Sequence, residues 1–153
     1  MNSLRQRLLI APIVALFTTF CLGQSNTQLI KERIVAELMR TTIIDSQIGG
    51  IIARMNNDGR FGDINYEDLS RTASFPHGGH TRDLVYMAKA YKNNTSKYYR
   101  NKPLKERIIS GLDYWVKHDF VGDNWHDNQI TTPTNLGNLM LVVEDELPQE
   151  LVL

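Results

Sequence analysis

Pro103-Leu104-Lys105-Glu106-Arg107-Ile108-Ile109-Ser110-Gly111-Leu112-Asp113-Tyr114-Trp115-Val116 is the run whose periodicity decides the fold. Leu104, Ile108, Ile109, Leu112, Trp115 and Val116 recur at threes and fours, which gathers them on one side of a helix. Pro103 suits the first turn, where a backbone N–H has no intrahelical partner to lose. At this spacing Trp115 is a core residue. The same period returns on either side. Upstream, Leu84, Val85, Met87, Ala88, Ala90 and Tyr91 predict a helix from Thr81 to Lys92, with Asp83 in the first turn where a carboxylate favours the helix dipole. Asn93-Asn94-Thr95-Ser96 ends it. Downstream, Thr132 is the expected N-cap, Pro133 the first helical residue, and Leu136, Leu139, Met140, Leu141 and Val143 the apolar side. Nearer the start, Leu29, Ile30, Ile34, Val35, Leu38, Met39, Ile43, Ile44, Ile48, Ile51, Ile52 and Met55 keep helical spacing, weakened at Thr41-Thr42 and Gly49-Gly50, so a break or a frayed end is expected. Asn56 to His80 is rich in Gly, Asp and Asn, and Phe61, Tyr66, Leu69 and Phe75 mark it as a long ordered loop pinned by its apolar and aromatic residues. No period-two pattern appears. The expected fold class is all-α, with antiparallel neighbours joined by loops. The last apolar helix has no evident partner after it, so an uncovered apolar edge is expected there.

The chain has 153 residues, 42% hydrophobic and 22% charged, the composition of a globular domain rather than a disordered one. Its first 23 residues form a separate segment. Arg5 and Arg7 precede an apolar run from Leu8 to Phe20, and Cys21-Leu22-Gly23 offers small residues for cleavage, so residues 1–23 read as a secretory signal peptide. The apolar run is shorter than the ~20 residues needed to span a bilayer. A lipoprotein signal with Cys21 lipidated is the alternative, and Phe20 stands where such a signal wants a small residue. Export implies a secreted or periplasmic protein with no membrane attachment after cleavage. Residues 24–153 then carry two more acidic than basic residues and no cysteine, which excludes a thiol nucleophile and a Cys-type zinc site. A strong basic excess, the footprint of a nucleic-acid partner, is absent.

Candidate chemistry concentrates in Asn124-Trp125-His126-Asp127-Asn128-Gln129-Ile130, just before the Thr132-Pro133 helix start. An indole face packs against the C–H face of a pyranose, and amides such as Asn124 and Asn128 hydrogen-bond hydroxyls. The alternative for Trp125 is a plug between two helices. His77-Gly78-Gly79-His80 lacks the further ligands of a tetrahedral metal site. Asp119, Asp123 and Asp127 recur every four residues without the glycine and terminal glutamate of a calcium loop, and read as solvated turn residues. Lys92, Lys97, Arg100, Lys102, Lys105 and Arg107 form a basic stretch that either steers an anionic polymer or is a solvated helix end. Asn93-Asn94-Thr95 and Asn94-Thr95-Ser96 match the N-glycosylation pattern. No Ser-His-Asp set, phosphate loop or carboxylate pair can be argued for.

An ordered set of landmarks carries a resemblance: His80 before a helix, Ala88-Lys89-Ala90-Tyr91, Tyr98-Tyr99, Leu112-Asp113-Tyr114-Trp115, Asn124-Trp125 through Ile130, then Thr132-Pro133 and Leu136-Gly137. The run from Pro76 through Leu141 resembles the N-terminal part of the catalytic domain of polysaccharide lyase family 8, the chondroitin, hyaluronan and xanthan lyases. The signal peptide and the helix before residue 55 fit the same layout. The resemblance implies a partial (α/α) toroid that forms one wall of a polysaccharide cleft. It implies substrate binding at Asn124 and Trp125, which match the family's Asn-Trp-Trp segment. His126 stands where the second Trp is usual, which weakens the stacking platform, and Gln129 replaces a frequent glutamate. The implied reaction is β-elimination at a uronate: the carboxylate is neutralised, the C5 proton is abstracted, and the 4-O-glycosidic bond breaks to leave an unsaturated sugar. In the family an Asn, a His, a Tyr and an Arg perform these steps, all in helices beyond the position of Leu153, so no catalytic residue is assigned here. Expected partners are an anionic uronate polysaccharide and the remainder of the lyase chain; no cofactor or metal is called for. Two readings follow: the N-terminal piece of a secreted polysaccharide lyase, or a non-catalytic exported carbohydrate-binding or scaffolding module.

Overall fold

The computed structural model describes residues 25–70 and 75–151; the signal-peptide reading of residues 1–23 lies outside the described residues. Among the described residues five α-helices follow in order: α1 (Asn26–Leu38), α2 (Asp45–Arg54), α3 (His77–Lys92), α4 (Lys102–His118) and α5 (Thr132–Val143). A π-helical turn, Asp127–Thr131, leads directly into α5, and short 3-10 turns at Glu144–Glu146 and Gln149–Leu151 follow it. Among the described residues the extended pairing is limited to an isolated bridge between Met55 and Phe61. The chain is all-α, as its periodicity predicts.

Side-chain contacts fix the directions of the helices. Asp45 opens α2 and accepts from Ser96 Oγ (2.6 Å) and Lys97 N (3.0 Å), just beyond the end of α3. Arg54 closes α2 and reaches Asp83 near the start of α3, so α2 and α3 are antiparallel. Helix α4 returns against α3: Lys105 near its beginning and Lys92 at the end of α3 share Glu146, whereas His80 in the first turn of α3 meets the Gly111 carbonyl. Helix α5 then runs in the direction of α3. Asn135 Nδ2 donates to Thr81 Oγ1 (3.0 Å) at one end, and Lys92 pairs with Asp145 (2.6 Å) at the other. This down-up-down path is the repeating unit of a stack of helical hairpins.

The core lies between these helices. Ile48 and Ile51 of α2, Leu84, Met87, Ala88 and Tyr91 of α3, Leu104, Ile108, Leu112 and Trp115 of α4, and Leu139, Val142 and Val143 of α5 are buried. The expected uncovered edge is smaller than its sequence suggests, because α5 packs its apolar side along α3. Helix α1 departs from expectation in the opposite sense. It buries no residue, and Leu29, Ile30 and Ile34 are exposed, although they sit at core-like spacing.

Of the two weak points before residue 55, Thr41-Thr42 is where the helix breaks. Thr41 Oγ1 donates to Leu38 O (3.1 Å), and the Tyr86 hydroxyl accepts from Ile44 N (2.9 Å), so α3 holds the turn. Gly49-Gly50 lies inside α2 instead. Ile48 and Ile51 on either side are driven into the core, and that burial outweighs the roughly 1 kcal/mol helix penalty of each glycine.

Arg54 joins two elements by donating to Asp63 and Asp83, both at 2.5 Å. Its guanidinium is about a third exposed, so solvent screens the pair. Arg54→Ala is expected to lower stability by roughly 1 kcal/mol in low-salt urea unfolding, and by less in 1 M salt.

Candidate functional site

The loop from Asp119 to Asn128 is assembled on an aromatic platform. Asp119 adopts a left-handed conformation (φ 44°) that stops α4, its N–H donating to Trp115 O at 2.9 Å. The chain then turns Phe120 inward, where its ring lies 5.0 Å from Tyr66, 5.1 Å from His77 and 5.4 Å from Trp115. Gly122 passes so close to Phe75 that a Cβ would stand 2.6 Å from its ring. Asn128 clamps Gly122 through both ends of its amide, donating to Gly122 O (2.7 Å) and accepting from Gly122 N (3.1 Å). Asp123 N donates to Leu69 O (2.9 Å), tying this loop to the one before α3. Phe61, Tyr66 and Phe75 are buried, so the described residues of the loop before α3 are held by their aromatics, as predicted.

Two buried histidines complete the platform. The Gly111 carbonyl can only accept, so His80 Nε2 carries the proton and donates to it (2.9 Å). His80 Nδ1 is then the acceptor of the Tyr66 hydroxyl (2.7 Å), which itself accepts from Phe61 N (3.1 Å). Burial depresses the His80 pKa from 6.5 to about 4 and pushes the Tyr66 phenol up to about 12. His77 Nε2 likewise donates to Tyr66 O (3.0 Å). Neither ring faces solvent, and their burial explains why α3 begins at His77 rather than at Thr81.

Trp125 stands on this support with 61% of its surface exposed. The plug alternative therefore does not hold, and the indole presents a face to solvent, with His126 edge-on at 5.7 Å. Val121 and Ile130 are also exposed. Asn124 is half-buried and mainly shapes the turn, donating to Asp127 Oδ2 (2.7 Å) and accepting from His126 N (3.1 Å). Asn128 is structural for the reason given above, which corrects its reading as a hydroxyl ligand. His126 and Gln129 are exposed, with His126 Nδ1 3.3 Å from Thr131 Oγ1. Asn124, Trp125, His126 and Gln129 thus occur on one loop and π turn, a helix variant frequent at functional sites.

Thr132 does not cap α5. Its backbone is helical (φ −64°, ψ −54°) and its N–H already donates to Asp127 O through the π turn, leaving Oγ1 buried without a partner. Of the basic stretch, Lys92 and Lys105 are matched by Asp145 and Glu146, Lys102 lies near Glu106, and Arg107 donates to Met55 O. Lys97 and Arg100 remain exposed beside Tyr98 and Tyr99. The stretch is largely a salt-bridged helix end. Asp119 and Asp123 are exposed turn residues, and Asp127 serves Asn124. Asn93 Oδ1 accepts from Thr95 N (2.9 Å) and Thr95 Oγ1 (2.8 Å), a turn that leaves Asn94 exposed. Sequence reasoning missed Phe120 and Gly122 as supports because their partners Tyr66 and Phe75 are remote in sequence, and missed Asn128 because its clamp on Gly122 depends on the turn between them.

The fold is thus a set of antiparallel helical hairpins with an exposed tryptophan on the loop that leads into α5. The polysaccharide lyase family 8, N-terminal alpha-helical domain model matches residues 31–152, and the chain belongs to that family. It is 26% identical over 119 residues to chondroitinase-AC of Pedobacter heparinus, across 77% of this chain and 17% of that protein. A solved structure of chondroitinase AC lyase, described with its enzyme–oligosaccharide complexes, superposes with a TM-score of 0.74 at 26% identity, covering 82% of this chain and 19% of that one. This chain therefore spans about a fifth of the length of these relatives. Among the described residues no helix is long and apolar enough to cross a membrane.

Proposed function

We propose that this chain supplies the N-terminal helical wall of an exported lyase that cleaves uronic-acid-containing polysaccharides by β-elimination. Residues 24–153 form part of an (α/α) toroid, residues 1–23 direct export, and Asn124, Trp125, His126 and Gln129 meet the polymer. The exposed indole of Trp125 on a loop fixed from both sides is the observation that carries this reading. An exposed aromatic on a rigid support stacks on a sugar without an ordering cost. With one Trp followed by His126, the platform is narrower than a paired-Trp one.

The proton transfers of the elimination belong to other parts of the lyase. His77 and His80 are buried and committed to carbonyls, and His118 Nδ1 is held by Tyr114 O at 2.7 Å. We expect the chain alone to release no unsaturated uronate product. Steady appearance of that product's ultraviolet absorbance with chondroitin or hyaluronan would overturn this assignment.

Trp125→Ala is expected to weaken binding of a uronate oligosaccharide about two- to tenfold by calorimetry, taking roughly 0.5–1.5 kcal/mol, the worth of an aromatic stacking contact. The melting temperature should stay unchanged, since the indole buries little. Unaltered affinity would remove Trp125 from the binding surface.

A further inference from the structure

Apart from the Trp125 loop, the protein carries an open groove of about 560 Å³ where α2, α3 and α5 meet. Arg82 and Lys89 of α3 line it seven residues apart, two helical turns or about 10.5 Å along one side of the helix. Asn135 and Asn138 of α5 and Gln47 of α2 add amides, and Ile51 and Val85 provide apolar surface between them. The charges in this groove are unbalanced. Its one lining carboxylate, Asp83, is turned to Arg54 at 2.5 Å, a cation it shares with Asp63, and pairs with neither Arg82 nor Lys89 among the described residues. Lys89 Nζ donates to a neutral hydroxyl, Thr41 Oγ1 (2.9 Å), and burial draws its pKa down with no carboxylate beside it to oppose the shift. Arg82 is exposed beside Gly79 and makes no ion pair among the described residues.

The neighbouring groove between α1 and the end of α5 shows the contrast. Lys31 and Lys92 line it too, but Glu144 and Asp145 answer them. A groove with two unanswered cations and several amides suits an acidic, hydroxyl-rich ligand. Two helical turns is close to the rise of one disaccharide in an extended polysaccharide, so an alternating uronate polymer would present one carboxylate to each cation. The hydrogen bond from Asn135 to Thr81 sets the Arg82 end beside the first turn of α5, the helix that follows the Trp125 loop.

We propose that this groove is a second polymer subsite, in which Arg82 and Lys89 each hold one carboxylate of an alternating uronate polysaccharide while Asn135, Asn138 and Gln47 hydrogen-bond the hydroxyls between. The assignment rests on the function proposed above and names a recognition surface separate from Trp125.

The test is calorimetric titration of the full chain with an octasaccharide of alternating glucuronate and N-acetylhexosamine. Arg82→Gln and Lys89→Gln should each weaken binding about tenfold, the loss of one charge-assisted contact, without moving the melting temperature. A Lys97→Gln/Arg100→Gln control, which removes two exposed cations outside the groove, should bind as the parent does. If Trp125→Ala weakens binding and the Arg82→Gln/Lys89→Gln double variant does not, the groove assignment falls and the lyase reading stands. An equal loss in the control also removes the groove, because diffuse charge would then account for the effect. A parent chain that binds no octasaccharide removes both. Should the groove variants misfold, NMR of the parent decides: the side-chain amides of Asn135 and Asn138 should shift on titration, and their constancy while the Trp125 indole shifts overturns the proposal.

Discussion

His80→Phe is expected to destabilise the protein by roughly 2–4 kcal/mol in urea unfolding, although it keeps the size and flatness of the ring. The cost arises from what the histidine leaves behind. Gly111 O loses the donor Nε2–H at 2.9 Å, and the Tyr66 hydroxyl loses its acceptor at 2.7 Å, both in a fully buried setting. An unsatisfied buried polar group costs about 1–3 kcal/mol, more than the net gain of the bond itself. The ring contacts with Phe61 (5.0 Å) and Trp115 (5.3 Å) would survive in the variant, so the loss is attributable to the hydrogen bonds. pH supplies an independent signature. The folded-state pKa of about 4 lies below the unfolded value of 6.5, so the unfolded chain takes up a proton first as the solution is acidified. The stabilisation from neutral His80 is fully present above pH 6.5 and is lost as the pH falls through 4, a change of about 3 kcal/mol at 1.36 kcal/mol per pKa unit. Unfolding free energies measured between pH 7 and 4 should show this slope in the parent and lack it in His80→Phe. Parallel pH profiles would sink the explanation.

Gly59→Ala is expected to cost about 3 kcal/mol for a different reason. Gly59 sits at φ +91°, a conformation that residues with a Cβ rarely adopt, in the turn where Asn56 N donates to Arg60 O at 2.7 Å. An added Cβ would also stand 2.5 Å from the Ser110 carbonyl carbon and 2.9 Å from Gly111 N. Both obstacles are backbone of α4, so neither a rotamer change nor a small side-chain movement relieves them. The turn would lift away from α4, and with it the Phe61 N–H that donates to Tyr66. Gly50 is the matched control. It is exposed within α2 with nothing within 4 Å of its missing Cβ, so Gly50→Ala should raise stability by roughly 0.5–1 kcal/mol through helix propensity. Thermal melts of the two variants should move in opposite directions; a shared direction would show that space at Gly59 does not decide the outcome.

These effects meet at one structural point. The turn at Gly59, the His80–Tyr66 pair and Phe120 form one continuous aromatic body, and Gly122 and Asn128 fasten the Trp125 loop to its outer side. A defect in the body therefore reaches the loop through packing, without touching Trp125 itself. For that reason Trp125→Ala tests the proposed binding role without touching the fold, whereas variants of His80 or Gly59 disturb the fold that supports the loop.

The sequence by itself determined the helices and the place of the loop between α4 and α5. Leu104, Ile108, Leu112 and Trp115 repeat at 3.6-residue spacing, and that period is local, so the buried side of α4 could be read without knowing its partners. The ordered landmarks from His80 to Leu136-Gly137 pointed to the family in the same way, because residue order survives where identity is low. What only the tertiary structure decided depends on remote contacts. Leu29, Ile30 and Ile34 have a helical period and yet stay exposed, since a period states which residues share a side and not whether another element covers it. Gly49-Gly50 remains helical because Ile48 and Ile51 are buried against α3, a tertiary gain larger than a local penalty. Trp115 and Trp125 are alike in composition and opposite in fate, 2% and 61% exposed, because one lies on a helix side that others cover and the other on a loop held outward by Phe75, Leu69 and Asn128. The unanswered charges of Arg82 and Lys89 were equally invisible, since a cation's isolation depends on which carboxylates folding brings near it.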